Sequence, residues 1–115
     1  MEIEIVFRGI APSQPLREHV DSEVRAYLSG FRDEITEVLV RIGAADAPRG
    51  GIDKHCRITV MGPRIGAATR EELHRDARSA VELAASRVAY AVGRELERLR
   101  RDYRGYGYDP LRRAS

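Results

Sequence analysis

The chain has 115 residues, of which 43% are hydrophobic and 33% are charged. These numbers predict one domain with a modest core and exclude a wholly disordered chain. The single cysteine, Cys56, excludes an intrachain disulfide, so a reducing compartment is expected. No apolar run approaches the roughly 18–20 residues that span a bilayer, and the start Met1-Glu2-Ile3-Glu4 is acidic where a signal peptide is basic. We therefore expect a soluble, cytoplasmic protein.

Charge is distributed unevenly along the chain. The formal net charge is +2, from 20 basic and 18 acidic residues, and the sequence pI is about 9.0. This balance is too even to indicate a nucleic-acid partner by itself. From Ser86 onward, however, 8 basic residues stand against 4 acidic ones. Because charge on one element matters more for binding than the sum over the chain, the last quarter is where an anionic partner is expected.

The first part of the chain predicts a strand, a helix and a second strand. Residues 1–8 alternate with period 2, which is typical of a half-buried strand. Its inward side chains are Ile3, Ile5 and Phe7. Ser13 is a suitable N-cap and Pro15 suits the first turn of a helix that ends near residue 30. Alternation over residues 35–42 predicts the second strand.

The rest of the chain predicts a hairpin and a long helix. We expect a loop over Gly43–Asp53, strands over 54–61 and 64–69 joined by Gly62-Pro63, a helix from about Leu73 to about Arg101, and an irregular tail over 103–115. The inward strand residues are expected to be Cys56, Ile58, Val60, Ile65 and Ala67. Glycines and Pro110 in the tail argue against continuation of the helix.

The element order is therefore β-α-β-β-β-α, which predicts an α+β protein. A strand, a helix and a strand give a parallel pair with a right-handed crossover. Since every strand has one apolar and one polar face, we expect a four-stranded mixed sheet with two helices packed on one face. Residues 1–102 are expected to form a single domain, with 103–115 as its tail.

Catalytic chemistry has little support in the residue inventory. The histidines His19, His55 and His74 lie on three different elements. His55 and Cys56 are neighbours on a strand, so their side chains point to opposite faces. The sequence has no phosphate-binding glycine loop and no cysteine pair with zinc spacing. We expect no catalytic residue, metal ligand or cofactor, and neither a small-molecule substrate nor a membrane partner.

The arginines of the last predicted helix are the strongest candidates for binding. Arg87, Arg94, Arg98 and Arg101 follow spacings of 7, 4 and 3, which places them on one ridge about 20 Å long. Arg75 and Arg78 start a flanking row. Such a ridge could follow a phosphate backbone, because the guanidinium group binds phosphate in bidentate fashion. The alternative is a solvated face neutralised by nearby glutamates, and the pattern alone leaves both open.

The element order and two local segments resemble the ribosome hibernation-promoting factor family, which includes the ribosome-associated inhibitor A and sigma-54 modulation proteins. Pro15-Leu16-Arg17-Glu18-His19-Val20 is similar to the start of the family's first helix. Residues 72–80, followed by Arg87, Arg94 and Arg98, are similar to its second helix. The resemblance covers roughly residues 2–102 and is of the short class, which lacks a C-terminal dimerisation domain.

This resemblance implies a non-enzymatic, bacterial-type stress-response protein that regulates translation. It implies binding to rRNA of the small ribosomal subunit, in the channel used by mRNA and tRNA, and storage of ribosomes in an inactive state. It also implies that Arg8 and the helix arginines contact rRNA, whereas Tyr90 stands where the family often has a basic residue. The candidate RNA-binding residues are Arg8, Arg75, Arg78, Arg87, Arg94, Arg98 and Arg101.

Two other functions are compatible with the sequence. One is a generic double-stranded-RNA-binding module with a similar sheet-and-helix layout. The other is a protein–protein adaptor that uses the exposed face of the sheet, where Glu4, Glu37, Arg41 and Arg57 would form a polar interface. Binding to free duplex RNA would favour the first, and binding that persists at high salt without RNA would favour the second.

Overall fold

The computed structural model describes the backbone of residues 1–46 and 52–114, and the side chains of residues 1–45 and 53–102. The expected order β-α-β-β-β-α is confirmed. A short 3-10 helix, Ser29–Glu34, follows the first α-helix. The elements are β1 (Glu2–Arg8), α1 (Gln14–Leu28), β2 (Glu37–Asp46), β3 (Ile52–Gly62), β4 (Gly66–His74) and α2 (Ala77–Ala114).

The four strands form one mixed sheet in the order β1-β2-β3-β4. β1 and β2 are parallel, as the helical crossover requires, and the other two pairs are antiparallel. Val40 of β2 lies opposite both Ile5 of β1 and Ile58 of β3. Since side chains alternate between faces, this register places the inward residues of neighbouring strands side by side and builds one apolar face.

Local sequence fixes where α1 begins. The Ser13 side chain accepts a hydrogen bond from the backbone N–H of Leu16 at 3.2 Å, and Pro15 lies in the first turn. The cap satisfies one of the backbone N–H groups that have no partner inside a helix, and proline has no N–H there to satisfy. Both residues therefore act as the sequence predicts. The helix then buries Val20, Val24 and Leu28.

Both helices cover the same face of the sheet, as expected. α2 contacts β3 and β4, and α1 packs beside α2. One hydrophobic cluster joins both helices to the sheet, and no polar side chain is buried among the residues described. Small residues let α2 approach its neighbours closely; the buried alanines of α2 are Ala80, Ala84, Ala85 and Ala89.

The expected loop over Gly43–Asp53 was too long. β2 continues through Asp46 and β3 begins at Ile52, so the two strands pair over residues that were assigned to the loop. Residues 47–51 lie outside the described part of the chain. The extension has a physical reason: each added antiparallel pair satisfies backbone N–H and C=O groups, and Gly43 is buried there.

The fourth strand begins and ends later than expected. The turn occupies residues 63–65, so β4 starts at Gly66, and Ala68 rather than Ala67 packs against the core. A shift of one residue exchanges the faces of all the side chains that follow it. β4 also includes Leu73, which lies opposite His55 on the open face and is 54% exposed. Leu73 was therefore wrongly assigned to the last helix.

α2 differs from its expected bounds at both ends. It begins at Ala77, because Asp76 accepts hydrogen bonds from the backbone N–H of Ser79 at 3.3 Å and from its hydroxyl at 3.0 Å. The Ser79 contacts hold the pKa of the Asp76 carboxyl below its ordinary value.

At the other end, α2 runs to Ala114 through the segment that was expected to be irregular. An interior glycine costs about 1 kcal/mol and an interior proline about 3 kcal/mol relative to alanine, so local propensity does not explain this continuation, although extension of an existing helix is easier than nucleation. Within the described residues, no helix is both long and apolar enough to cross a membrane.

Candidate nucleic-acid interface

The outward face of α2 carries the positive charge because its other face is occupied by the core. Val81, Val88 and Val92 are fully buried against the sheet and α1. The intervening arginines are thereby directed to solvent, as the amphipathic pattern predicts. The exposed arginines among the described α2 residues are Arg78, Arg87, Arg94, Arg98, Arg100 and Arg101.

A cleft of about 470 Å³ lies between this face of α2 and the edge strand β4. Its lining is mainly basic, with four arginines and a single glutamate. The residues that line it are Arg70, Tyr90, Ala91, Arg94, Glu95, Arg98 and Arg101. A concave surface with an excess of positive charge attracts and holds anionic groups such as phosphates. We call this surface the basic cleft.

Tyr90 adds an aromatic surface to the basic cleft. It is 67% exposed, although it is a large apolar side chain. The Arg94 guanidinium lies 5.8 Å from the centre of the Tyr90 ring, and its Nη1 donates a hydrogen bond to the Tyr90 hydroxyl at 3.2 Å. An exposed ring beside a guanidinium offers both a surface for base stacking and a cation for a phosphate.

Several arginines of the predicted ridge are already paired with acids. Arg98 contacts Glu95 at 2.6 Å and Asp102 at 2.8 Å. The hydrogen bonds between Arg98 and Glu95 raise the pKa of the arginine and lower that of the glutamate. Arg87 pairs with Glu72 of β4 at 2.5 Å. These exposed pairs add little stability, but they reduce the positive charge available to a ligand.

Arg94 and Arg101 differ from these paired arginines. Neither makes an ion pair with any residue whose side chain is described. The same holds for Arg70, whose Nη1 donates to the backbone carbonyl of Thr69 at 2.7 Å. The uncompensated charge of the basic cleft therefore comes from three arginines on two elements, which the sequence separates by more than twenty residues.

The structure brings together only part of the predicted set. Arg94, Arg98 and Arg101 line the basic cleft, whereas Arg87 is held by Glu72 outside its lining. The remaining candidates lie elsewhere: Arg75 is in the bend before α2, Arg78 is in the first turn of α2, and Arg8 ends β1. Of the four arginines expected on one ridge, three therefore line the basic cleft.

Two lining residues were not among the predicted site residues. Arg70 was missed because the fourth strand was expected to end at Thr69. Alternation continued from the expected inward Ala67 would have placed Arg70 on the open face, and only the register, which sets Arg70 opposite Ile58, places it on the helix-covered face. Tyr90 was noted only as a departure from a basic residue. Its exposure on α2 is what makes it a candidate contact.

The open face of the sheet has mixed charge. Arg41 and Arg57 are direct neighbours across β2 and β3, and they line a shallow depression of about 130 Å³. Glu71 lies opposite Arg57 on β4, and the acidic Glu2 and Glu37 face each other on β1 and β2. This face therefore holds opposite charges side by side and suits a phosphate backbone less well than the basic cleft.

Cys56 lies in the core, as expected, and is fully buried. Burial, with a smaller contribution from the Glu71 carboxylate, raises the pKa of the Cys56 thiol to about 12. Because the folded-state pKa is raised, the stability linked to the neutral thiol is present below the unfolded pKa and is lost as pH rises towards 12. The thiolate, which is the reactive form, is thus suppressed at neutral pH.

Iodoacetamide at pH 8 is therefore expected to alkylate folded Cys56 at least roughly 100-fold more slowly than the urea-unfolded chain, since reaction requires opening of the core. Mass spectrometry of timed samples measures both rates. Equal rates in the two states would show that the thiol is accessible in the folded protein.

Comparisons with known proteins agree with this geometry. The structure is similar to the N-terminal domain of Thermus thermophilus Protein Y, with 23% identity, a TM-score of 0.68, and coverage of 82% of this chain and 98% of that one. It is also similar to a ribosomal subunit interface protein from Coxiella burnetii, with 18% identity, a TM-score of 0.71, and coverage of 82% and 96%. These likenesses confirm the fold.

The family assignment comes from the sequence itself. No curated protein sequence matches this chain. The family model described as sigma 54 modulation protein / S30EA ribosomal protein matches residues 3–100. This range includes α1, all four strands except Glu2, and every residue that lines the basic cleft except Arg101. The resemblance expected from the first-helix and second-helix segments is therefore confirmed, and the chain belongs to the sigma 54 modulation protein / S30EA ribosomal protein family.

Proposed function

We propose that this protein associates with the ribosome, binds rRNA of the small subunit through the basic cleft, and thereby inhibits translation or keeps ribosomes inactive under stress. Family membership supports the ribosome as the partner, because the family is that of a ribosomal protein. The basic cleft is proposed as the binding surface because several of its arginines form no ion pair with any acidic side chain that the structure describes. Arg70, Arg94 and Arg101 converge on one cleft without acidic partners among the described side chains.

The mechanism needs no bond chemistry. The arginines of the basic cleft would replace cations condensed on the rRNA phosphates, while Tyr90 offers its exposed ring to an unpaired base. The bulk of the docked domain would then exclude mRNA or tRNA from the space it occupies. Occupancy alone would inhibit translation, and release of the protein would restore it.

Binding to purified small subunits is expected to weaken as salt rises. If three arginines each neutralise one phosphate, the slope of log K against log salt is about −2.1 to −2.7, so affinity falls about 20- to 40-fold between roughly 50 and 200 mM salt. Sucrose-gradient co-sedimentation across this range measures the slope. Stationary-phase lysate at low salt tests the same association at natural concentrations.

The outcome separates the competing functions. A protein that stays at the top of the gradient at low salt does not bind ribosomes. Ribosome binding that does not change with salt would favour an adaptor that uses the open sheet face, around Arg41 and Arg57. Binding to a free RNA duplex as tight as binding to the small subunit would favour a generic double-stranded-RNA module.

A further inference from the structure

We propose that His19, Glu23 and Glu82 form a binding site for a divalent transition-metal ion, with zinc as the representative ion. The ligand atoms of these three residues lie within 4.8 Å of one another. The sequence did not predict this group, because His19 and Glu82 are separated by more than sixty residues. The packing of α1 beside α2 brings them together.

The backbone positions suit a shared ion. His19 and Glu23 are four residues apart on α1, so their side chains lie one above the other on one helix face. Glu82 reaches the same point from the second turn of α2. Two ligands on one helix and a third on its neighbour give a site whose spacing is fixed by helix packing rather than by a loop.

The state of the His19 imidazole is an independent observation that points to a ligand. The His19 side chain is only 16% exposed, and its Nε2 atom is buried with no hydrogen-bond partner among the described residues. The closest acidic atom is Oε2 of Glu82 at 3.4 Å. A charge-assisted hydrogen bond is shorter, about 2.7–2.9 Å. The buried nitrogen thus lies beside the Glu82 carboxylate without a hydrogen bond to it.

The same distance suits two ligands of one ion. With metal–ligand bonds of about 2.0–2.2 Å and tetrahedral angles, neighbouring ligand atoms lie about 3.3–3.6 Å apart. The Nε2–Oε2 distance of 3.4 Å falls in this range. Only a small movement of Glu23 and Glu82 would then complete three protein ligands, and Glu82 is free to adjust because it is 51% exposed.

The donor set selects the class of ion. Imidazole nitrogen favours zinc, copper, nickel or iron over magnesium and calcium, which prefer oxygen ligands alone. Two carboxylates balance the charge of a divalent ion. A depression of about 390 Å³, lined by Tyr27, His74 and Glu82 among others, opens beside the site and leaves room for water as the fourth ligand.

The chain contains a matched control. His55 and Glu71, on the open sheet face, have the same separation of 3.4 Å between an imidazole nitrogen and a carboxylate oxygen. The His55 nitrogen is also buried without a hydrogen-bond partner. This pair belongs to no group of three ligand atoms among the described residues. His55 and Glu71 therefore have the same histidine–glutamate distance as His19 and Glu82, but they lack a third ligand in the described part of the chain.

Titration calorimetry of the untagged full chain with zinc chloride tests the site. We expect one equivalent of zinc to bind, with affinity reduced at least roughly tenfold by His19→Gln or by Glu82→Gln, since even indirect partners of metal ligands are worth that much. His55→Gln should bind zinc like the unaltered chain. The thermal midpoint should rise with zinc in the same pattern, because a ligand of the folded state stabilises it.

Each result of the calorimetry either supports or contradicts the proposed zinc site. Absence of saturable zinc binding to the unaltered, folded chain overturns the proposal, as does binding that survives both His19→Gln and Glu82→Gln or is lost in His55→Gln. Circular dichroism establishes that each variant is folded. If His19→Gln does not fold, the exposed Glu82→Gln variant gives the answer, and an unchanged affinity there would count against the site. Ribosome binding has no part in these measurements.

Discussion

Replacing Arg94 and Arg101 together by glutamate is expected to abolish co-sedimentation with small ribosomal subunits at physiological salt. Both side chains line the basic cleft and neither has an acidic partner among the described residues. If each forms one charge-assisted contact worth about 1.5 kcal/mol, loss of the two lowers affinity roughly 100-fold, and the introduced repulsion adds to this. The dependence on salt should also become weaker: the slope of log affinity against log salt should be less negative by about 1.5 to 2.

A matched double reversal elsewhere controls for net charge. Arg25 and Arg32 are exposed on α1 and on the 3-10 helix, away from the basic cleft. Arg25→Glu with Arg32→Glu changes the charge of the protein by the same amount and breaks only an exposed pair with Asp21 at 3.0 Å. This control should retain most of the binding. Equal loss in both double variants would show that overall charge, rather than the cleft, governs association.

The substitution Gly62→Ala is expected to have the largest effect on stability. A Cβ atom at residue 62 would collide with the backbone carbonyl oxygen of Glu34 and approach Cα of Ile35 at 3.4 Å. Backbone atoms cannot move aside as a flexible side chain can, so the end of β3 must shift away from the segment that leads into β2. Overpacking of this kind costs about 1–3 kcal/mol.

The same shift disturbs two hydrogen bonds. The backbone N–H and the hydroxyl of Thr36 both donate to the carbonyl of Met61, at 2.9 and 3.0 Å. With their weakening, the total loss in free energy of unfolding should be about 2–4 kcal/mol. Urea unfolding followed by circular dichroism measures it.

Gly30→Ala is the control, because nothing lies within 4 Å of a Cβ at residue 30 and its φ is not positive. That variant should be neutral or more stable by up to about 1 kcal/mol. A Gly62→Ala variant as stable as the unaltered chain would mean that the two backbone segments separate without cost.

Much of the fold follows from local pattern. Period-2 alternation in β1 and the apolar faces of β2 and β3 place Ile5, Val40 and Ile58 in one layer, and the structure confirms it. Capping signals correctly predict the start of α1 at Ser13. They also explain the error at Leu73, because Asp76 was not recognised as the cap of α2. Leu73 lies between the strand pattern of β4 and the helix pattern of α2 and fits both. Only the Asp76 cap shows that α2 begins after Leu73.

The candidate site was harder to predict than the fold. Spacing along α2 correctly grouped Arg94, Arg98 and Arg101. Spacing contains no information on pairing across elements, so it could not show that Arg87 is held by Glu72 of β4. A formal count of arginines therefore overstates the charge that a ligand meets. Arg70 entered the site only through the register of β4 against β3.

The sequence alone predicts the order of elements, the buried faces of β1, β2 and β3, and the gathering of positive charge in the last quarter of the chain. These are properties of neighbours along the chain, because helix and strand periods act over a few residues. The tertiary structure alone decided which charges remain free and which distant groups meet. It neutralised part of the arginine ridge, added Arg70 and Tyr90 to a cleft, and brought His19 to Glu82. Charge compensation and ligand geometry depend on distances of a few ångströms between elements, and only packing sets those distances.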